Sequence, residues 1–261
     1  MGNQNFAGKV AVVSGAGRGI GRAVVRDLAR SGADIGMCSR SRDELESLAA
    51  EVSEMGRKVV AVPTDVAEWG QVEVFAGEVK QQLGPVNLLF NNAGVSMDNG
   101  PVAESNPATW RRVIDINLMG IYHVARAFID HMPRGGNILN TGSGAGENPQ
   151  PNDSSYCVSK AGLHMFTGVL AMEVWDRGIC VNTLIPGPVA TLIANSQTAV
   201  WGTDADSEKL ILAEFQGKPA PQAPSEIVKP TSEVAGFVHY IFSLPETGPT
   251  GQIFSIARRP F

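Results

Sequence analysis

Tyr156 and Lys160, four positions apart in the run SSYCVSK, are the residues with the clearest chemical potential. In a helix, residues at this spacing lie on one face, so the ammonium group would stand one turn from the phenol. A nearby positive charge favours the phenolate and lowers a pKa that is ordinarily about 10. The spacing therefore predicts a tyrosine that exchanges protons near neutral pH, although it also fits an ordinary surface pair.

A glycine-rich run, SGAGRGIG at positions 14–21, directly follows a short apolar run rich in valine. Glycines let the backbone turn tightly and approach a pyrophosphate, and the start of the following helix offers free N–H groups. The spacing is G-x-x-x-G-x-G, at Gly15, Gly19 and Gly21, and differs from the common G-x-G-x-x-G pattern. The strand before the run and the helix after it favour a nucleotide-binding turn over a plain tight turn.

These residues need a framework, and the apolar pattern predicts alternating strands and helices along the chain. Strands are predicted at 9–14, 34–38, 58–62, 86–90, 137–140, 179–184 and 251–256, and helices at 19–31, 43–55, 66–83, 107–131, 154–176 and 232–244. We therefore predict an α/β fold: a single doubly wound domain over residues 1–261, with about seven parallel strands and helices on both faces. Residues 187–230 are predicted to form an excursion over the sheet edge that could close over a substrate.

Composition excludes several classes of protein. The 261 residues carry a formal net charge of −5, which argues against nucleic acid or an anionic membrane as the main partner. No apolar run reaches about 18 residues and no signal peptide is recognised, so no membrane span is expected. Three distant cysteines and four histidines without ligand spacing argue against a disulfide framework and a metal site. We expect a metal-free protein of the reducing cytoplasm.

Four further motifs follow predicted strands or open the last one. They are Asp65-Val66, Asn91-Asn92-Ala93-Gly94, PGPVAT at 186–191 and Thr250-Gly251-Gln252. Together with the glycine spacing and Tyr-x-x-x-Lys, they resemble the classical short-chain dehydrogenases/reductases, and in particular the 3-oxoacyl-[acyl-carrier-protein] reductase-like members. The resemblance covers essentially the whole chain and implies a Rossmann domain that binds a nicotinamide dinucleotide. Ser14 replaces the threonine that the family usually has at the start of the glycine motif.

The resemblance implies a catalytic set of Asn117, Ser143, Tyr156 and Lys160. Ser143 would donate a hydrogen bond to the reacting oxygen, and Tyr156 would exchange a proton with it while hydride passes between nicotinamide and carbonyl carbon. Lys160 would acidify the phenol and bind the ribose hydroxyls, and Asn117 would complete a water-linked proton relay. The substrate is expected at Ser96, Ser143 and Tyr156. The expected cofactor-binding residues are Ser14, Gly15, Gly17, Arg18, Gly19, Ile20, Gly21, Ser39, Arg40, Asp65, Val66, Asn92, Ala93, Gly94, Tyr156, Lys160, Pro186, Gly187, Val189 and Thr191.

The end of the second predicted strand bears on the choice between the two nicotinamide cofactors. A carboxylate there would bind the ribose 2′-hydroxyl and select NAD(H), but this strand ends in Cys38-Ser39-Arg40. Arg40 and Arg18 could together hold a 2′-phosphate through charge-assisted hydrogen bonds, and Ser39 could add a hydroxyl. We therefore predict NADP(H) as the preferred cofactor and NAD(H) as the less favoured one. The alternative is that both arginines are solvated surface charges.

Two positions depart from the family pattern. Gly142 stands where relatives often have a second serine before the catalytic one, and is expected to loosen that turn. The ending ARRPF at 257–261 replaces a common Asp-Gly-Gly ending. Relatives usually pack the C-terminal region at a tetramer interface, so we expect a homo-oligomer, either a tetramer or a dimer.

The sequence predicts the substrate only as a class. The leading hypothesis is oxidoreduction of a small-molecule ketone or secondary alcohol, and a 3-oxoacyl-thioester reductase is an alternative. A non-catalytic NADP(H) sensor belongs to a different class, and the intact set of Ser143, Tyr156 and Lys160 argues against it. The substrate, the physiological direction and the product stereochemistry stay open. Further pocket candidates are Met97, Gly144, Glu147, Asn148, Asp153 and Trp201.

Overall fold

A seven-stranded parallel sheet forms the centre of the protein in a computed structural model, which describes residues 5–97, 100–191, 209, 212, 214, 219–220 and 223–257. The described strands are β1 (Val10–Ser14), β2 (Asp34–Ser39), β3 (Val59–Pro63), β4 (Leu88–Asn91), β5 (Asn137–Thr141), β6 (Cys180–Ile185), β7 (Pro219–Ala220), β8 (Ala223–Ile227) and β9 (Ile253–Ser255). The large sheet has the order β3-β2-β1-β4-β5-β6-β9, while β7 and β8 pair antiparallel with each other. The prediction of a parallel sheet of about seven strands is confirmed.

The described α-helices connect these strands and follow the predicted positions closely. They are α1 (Gly19–Arg30), α2 (Arg42–Glu54), α3 (Trp69–Leu83), α4 (Pro107–Ile114), α5 (Gly120–Ile129), α6 (Ser154–Glu173) and α7 (Thr231–Phe242). The helix predicted over 107–131 is divided by a π-helical turn, Asp115–Met119, between α4 and α5. Asn106 caps α4, and Pro107 fills the first helical position, where a backbone donor is not needed. None of the described helices is long and apolar enough to cross a membrane.

Both faces of the large sheet are covered, which explains the continuous apolar runs of its strands. Along β1, Ala11 and Val13 enter one hydrophobic cluster, while Val10 and Val12 enter the other. Side chains of α1, α2 and α7 close the first cluster, and side chains of α3, α5 and α6 close the second. The layers predicted from the alternation of elements are therefore present.

The strand order creates a switch point between β1 and β4. From β1 the sheet continues to β2 and β3, and from β4 it continues in the opposite direction to β5 and β6. The connections on the two sides diverge and leave a crevice at the carboxyl ends of β1 and β4, where open α/β sheets bind ligands. Ser14 and Asn91 end these two strands and lie beside each other in register.

A ladder of buried polar side chains ties α6 to the sheet. Asn91 donates to Asn140 Oδ1 at 2.9 Å, and Asn140 donates to Thr167 Oγ1 at 2.9 Å. Thr183 also donates to Thr167 Oγ1 at 2.9 Å. Thr167 on α6 is therefore bonded directly to β5 and β6, and to β4 through Asn140. Buried hydrogen-bond networks fix geometry, because breaking one bond leaves a costly unpaired group. This ladder sets the position of α6 along the strands.

The excursion predicted at 187–230 falls largely outside the described residues, as do Trp201 and residues 258–261. Within the described part, Val189 pairs with Lys229 in a parallel bridge. Lys229 is 8% exposed, and its Nζ donates to the Pro186 carbonyl at 2.7 Å. These contacts join the segment after β6 to the segment before α7. Closure over a substrate stays a prediction.

A substitution at Phe128 on α5 can test how much the second hydrophobic cluster, covered by α3, α5 and α6, contributes to stability. Phe128 is 1% exposed, and its ring meets that of Phe75 edge-on with 5.5 Å between the centroids. We expect Phe128→Ala to lower the free energy of unfolding by about 3–5 kcal/mol, because it removes buried apolar area and leaves a cavity. Urea unfolding followed by circular dichroism measures this change.

The matched control for this prediction is Val74→Ala on α3, where the side chain is 60% exposed. It should change the free energy of unfolding by less than about 0.5 kcal/mol, since little apolar area is removed from a packed environment. Similar effects of the two substitutions would contradict the central place of Phe128 in the core.

Candidate active site

Side-chain hydrogen bonds join the ends of β1 and β4. Ser14 Oγ accepts the backbone N–H of Asn92 at 3.1 Å and that of Ala93 at 3.3 Å. The Asn92 side-chain amide donates to the Gly15 carbonyl at 3.1 Å. Ser14 is 1% exposed, and its hydroxyl positions the glycine turn, while its contact with a cofactor stays a prediction. The hydroxyl that the sequence keeps at position 14 thus has a structural role.

Two glycines of the turn are required by close packing. Gly15 has a φ of +64°, and a Cβ there would lie 2.8 Å from Ala93 Cα. A Cβ on Gly21 would collide with the carbonyl oxygen of Gly15. A larger residue at either position would force the turn away from β4. The glycine spacing therefore follows from contact between this turn and the segment after β4.

The start of α1 has the features of a phosphate-binding site. Its N-cap, Arg18, is extended and makes no capping bond through its side chain, and no acidic residue lies in the first turn. By contrast, side-chain oxygens of Ser41 and Asn106 cap α2 and α4. The first N–H groups of α1, from Gly19 onward, point along the positive end of the helix dipole and suit an anion. The residues present therefore fit the diphosphate of a dinucleotide.

Tyr156 and Lys160 lie one turn apart on α6, facing the loop after β5. Lys160 Nζ is 5.5 Å from the centroid of the Tyr156 ring and donates to the Thr141 carbonyl at 2.7 Å. The side chain of Ser143 lies beside the hydroxyl of Tyr156 and lowers its pKa. Lys160 is only 2% exposed. The structure thus brings together three of the four predicted catalytic residues at the carboxyl end of β5.

The pKa values of Tyr156 and Lys160 differ from those expected from their spacing. Burial raises the pKa of Tyr156 to about 12, and the hydrogen bond with Ser143 offsets only part of that rise. Burial also lowers the pKa of Lys160 to about 8. The prediction that Lys160 brings the Tyr156 pKa toward neutrality is therefore wrong, because desolvation disfavours both charged forms. Near neutral pH the phenol keeps its proton and can donate it.

Asn117, the fourth predicted catalytic residue, is buried within the π-helical turn. Its amide oxygen accepts the Val95 N–H at 2.8 Å, and its amide nitrogen donates to the Val95 carbonyl at 2.8 Å and to Ser159 Oγ at 3.2 Å. Ser159 donates in turn to the Tyr156 carbonyl at 2.7 Å. Both amide hydrogens therefore connect the segment after β4 with α6. The relay role stays a prediction, and a relay water would have to bind another atom of Asn117.

Gly142, the departure from the family pattern before Ser143, has a packing explanation. A Cβ at this position would lie 2.7 Å from Nε2 of His164 and would collide with the methyl group of Thr183. The His164 ring, on α6, fills the space that a side chain at position 142 would need. Ser143 Oγ also accepts the Ala145 N–H at 3.2 Å, which orders the turn. The glycine therefore fits a tight contact and does not leave the turn loose.

Asp65 and Val66, the predicted adenine contacts, follow β3. Arg112 on α4 forms an ion pair with one oxygen of the Asp65 carboxylate, and the other oxygen accepts the Ala67 N–H at 3.1 Å. Val66 is 5% exposed and packs against Gly120. No sequence pattern indicates Arg112, because tertiary packing alone brings positions 65 and 112 together. Contact between Asp65 and adenine stays a prediction.

The segment 186–191 approaches the glycine turn from the other side of the crevice. The Thr191 methyl group would lie 3.2 Å from a Cβ on Gly19, so the segment reaches the start of α1. A Cβ on Gly94 would lie 3.8 Å from Lys160 Nζ, which places the segment after β4 beside this lysine. The predicted cofactor-binding motifs at 14–21, 92–94 and 186–191 therefore border one crevice.

The remaining predicted residues lie around this crevice. Arg18 and Arg40 are exposed, Ser39 is half-buried at the end of β2, and Ser96 is half-buried after β4. Glu147 is exposed beyond the Ser143 turn. Among the described residues, no group of three or more His, Cys, Asp or Glu side chains could hold a metal ion.

Comparison with known proteins agrees with this geometry. A family model for short chain dehydrogenase matches residues 9–200. The chain belongs to the short-chain dehydrogenase family. It is therefore an oxidoreductase of the short-chain dehydrogenase/reductase type.

Relatives in this family match most of the chain. The 3-oxoacyl-[acyl-carrier-protein] reductase of Haemophilus influenzae is 35% identical over 186 residues, which are 70% of this chain and 75% of that protein. A blue fluorescent protein from a metagenomic library, solved with NADPH, is 30% identical and has a TM-score of 0.82 over 98% of both chains. An NAD+-bound xylitol dehydrogenase is 28% identical and has a TM-score of 0.78 over 97% of this chain and 99% of its own.

The depressed pKa of Lys160 implies a dependence of stability on pH. The lysine loses its proton near pH 8 in the folded protein and near its ordinary value of 10.5 in the unfolded chain. Between these values the unfolded state binds more protons, so stability rises with pH. The stability of the folded protein is therefore free of the cost of the buried charge above pH 10.5. This advantage is lost as the pH falls through 8 and the buried lysine takes up its proton.

We expect the free energy of unfolding to rise from pH 8 to pH 10 by roughly 1–2 kcal/mol more in the wild-type protein than in Lys160→Met, since a full proton difference contributes about 1.4 kcal/mol per pH unit. Urea unfolding at several pH values measures the difference. Lys58→Met, at an exposed lysine, should follow the wild-type curve. Parallel curves for the wild-type protein and Lys160→Met would contradict the cost assigned to the buried ammonium group.

Proposed function

We propose that the protein catalyses NADP(H)-dependent interconversion of a small-molecule ketone and its secondary alcohol. The observation that carries this proposal is the meeting of the Ser143 and Tyr156 hydroxyls beside the buried ammonium of Lys160. Hydroxyl donors next to a fixed positive charge suit an oxygen that gains or loses charge during a reaction. A bound nicotinamide supplies or accepts the hydride.

In the reductive direction, Tyr156 donates its proton to the developing alkoxide, and Ser143 donates a hydrogen bond to the same oxygen. The raised pKa of Tyr156 suits this role, because the phenol is protonated at neutral pH. Lys160 then stabilises the phenolate that remains and binds the ribose hydroxyls. In the oxidative direction Tyr156 acts as the base. Asn117 holds the segment after β4 against α6 and is proposed to complete the proton relay.

We propose NADP(H) as the preferred cofactor and NAD(H) as the less favoured one. The diphosphate would lie on the glycine turn at the start of α1. Arg18, before α1, and Arg40, after β2, are exposed, and β2 itself carries no acid at its end, which supports binding of a 2′-phosphate. The NADPH complex of the metagenomic relative also supports this choice.

A 3-oxoacyl thioester is the second candidate substrate. The identity of 35% to the 3-oxoacyl-[acyl-carrier-protein] reductase of Haemophilus influenzae favours it. The same catalytic groups would then act on the 3-oxo group of a thioester. A screen of simple ketones, 3-oxoacyl thioesters and alcohols, read by NADPH absorbance, separates the two candidates.

We also propose a single domain that works as a cytoplasmic homo-oligomer, a tetramer or a dimer, without a nucleic-acid partner. The three cysteines are free thiols, as expected in a reducing compartment. On α6, Met165 and Met172 are 71% and 80% exposed, and a second copy of the chain would cover such apolar side chains.

We expect Tyr156→Phe to keep NADPH binding and to lower turnover by about 10²–10⁴-fold, the usual contribution of a positioned proton donor. NADPH fluorescence measures binding, and NADPH absorbance with the best substrate measures turnover. Tyr240→Phe is the matched control, since that side chain lies on α7 and is 56% exposed. Unchanged turnover in Tyr156→Phe would remove the assigned acid, and NADPH binding without turnover of any tested substrate would favour the sensor.

We expect Arg40→Ala to weaken NADPH binding by about tenfold or more and NADH binding far less, because a charged hydrogen bond to the 2′-phosphate is lost. Dissociation constants for the two cofactors measure the effect. Arg30→Ala, at an exposed arginine in the last turn of α1, should change neither constant. Equal weakening of both cofactors by Arg40→Ala would contradict the proposed 2′-phosphate contact.

A further inference from the structure

The carboxylate of Glu44 on α2 lies beside the end of β2, where the sequence itself has no acidic residue. A Cβ on Gly17 would collide with the Glu44 carboxylate and would lie 2.9 Å from Ser39 Oγ. The carboxylate, the glycine turn and the end of β2 therefore meet at one point. In the described part of the chain, this carboxylate makes no hydrogen bond or ion pair. An acidic group thus lies free at the position that distinguishes the two nicotinamide cofactors.

The fold holds Glu44 at this position. Arg22 donates to the carbonyl of Gly17 at 3.1 Å and to the carbonyl of Glu44 at 3.2 Å. An ion pair with Glu51 orients the Arg22 guanidinium group. Ser41 caps α2 by accepting the Glu44 N–H at 3.4 Å. The first turn of α2 is therefore fixed against the glycine turn, and the Glu44 side chain starts from a backbone that is held beside Gly17.

We propose that Glu44 is a specificity-determining residue that accepts the ribose 2′-hydroxyl of NAD(H) and limits the preference for NADP(H). This inference rests on the proposed function. A carboxylate accepts a hydrogen bond from a hydroxyl, but it repels a phosphate that carries nearly two negative charges. Arg18 and Arg40 attract the same phosphate. The glutamate and the two arginines act in opposite directions, so the protein binds both cofactors.

The test compares the dissociation constants of NADPH and NADH, measured by cofactor fluorescence without substrate, for the wild-type protein and Glu44→Gln. We expect Glu44→Gln to bind NADPH about tenfold more tightly, since one repulsive charge within a few ångströms of the phosphate is removed. NADH should bind more weakly, by about threefold, because an amide oxygen is a poorer acceptor than a carboxylate. The NADPH effect should shrink at high salt, as expected for a charge interaction near the surface.

Glu46→Gln is the matched control, because Glu46 lies on the same helix, pairs with Arg42 and points into solvent. Its NADPH/NADH ratio should equal that of the wild-type protein. An unchanged ratio in Glu44→Gln would overturn the inference. Should that variant fail to fold, Glu44→Asp replaces it, because it withdraws the carboxylate by one methylene. We expect Glu44→Asp to raise the preference for NADPH as well. An unchanged NADPH/NADH ratio in Glu44→Asp would also overturn the inference. Failure of the wild-type protein to bind either cofactor would instead overturn the proposed function itself.

Discussion

The burial of one ammonium group is the constraint on which this site depends. A charged amine out of water is costly unless polar groups surround it, and Lys160, at 2% exposure, has the Thr141 carbonyl at 2.7 Å. The cost appears as a pKa of about 8 for the lysine, and the same desolvation raises the pKa of Tyr156 to about 12. A neutral phenol thus lies beside a cation that forms no ion pair with any residue the structure describes. In the proposed mechanism, this cation stabilises the negative charge that develops on the phenol during proton transfer, which favours the transition state over the resting state.

Such an arrangement requires that α6 keep its position over the sheet. The ladder through Asn140 and Thr167 fixes the middle of the helix, and the Asn117 amide fixes its first turns through Ser159. The contact of Gly142 with His164 brings the loop after β5 against the same helix. The strand ends and the helix are therefore joined by three sets of contacts, and the proposed catalytic hydroxyls of Ser143 and Tyr156 lie close to them.

Several features could be predicted from the sequence because local pattern controls them. The strands follow from apolar runs, the glycine turn from its spacing, and the proximity of Tyr156 and Lys160 from helical periodicity. The direction of the Tyr156 pKa could not be predicted, because spacing shows that a charge is near but does not show how much water is excluded. The ion pair of Asp65 with Arg112 escaped prediction for another reason, since it joins residues far apart in the sequence through tertiary packing.

At the end of β2, tertiary packing again brings together residues that the sequence pattern does not connect, and here the contact bears on function. A rule that looks for an acid at the end of this strand finds Ser39 and Arg40 and indicates NADP(H). The crevice, however, is also bordered by the first turn of α2, and Arg22 holds the backbone of Glu44 against Gly17. Arg18 and Arg40 are exposed side chains that lose conformational freedom when they bind a phosphate, whereas the backbone of Glu44 is already fixed. In the proposal made above, the carboxylate of Glu44 opposes the two arginines, so the preference for NADP(H) is smaller than the number of arginines suggests. Selectivity would then depend on where the backbone holds each charge as well as on its sign.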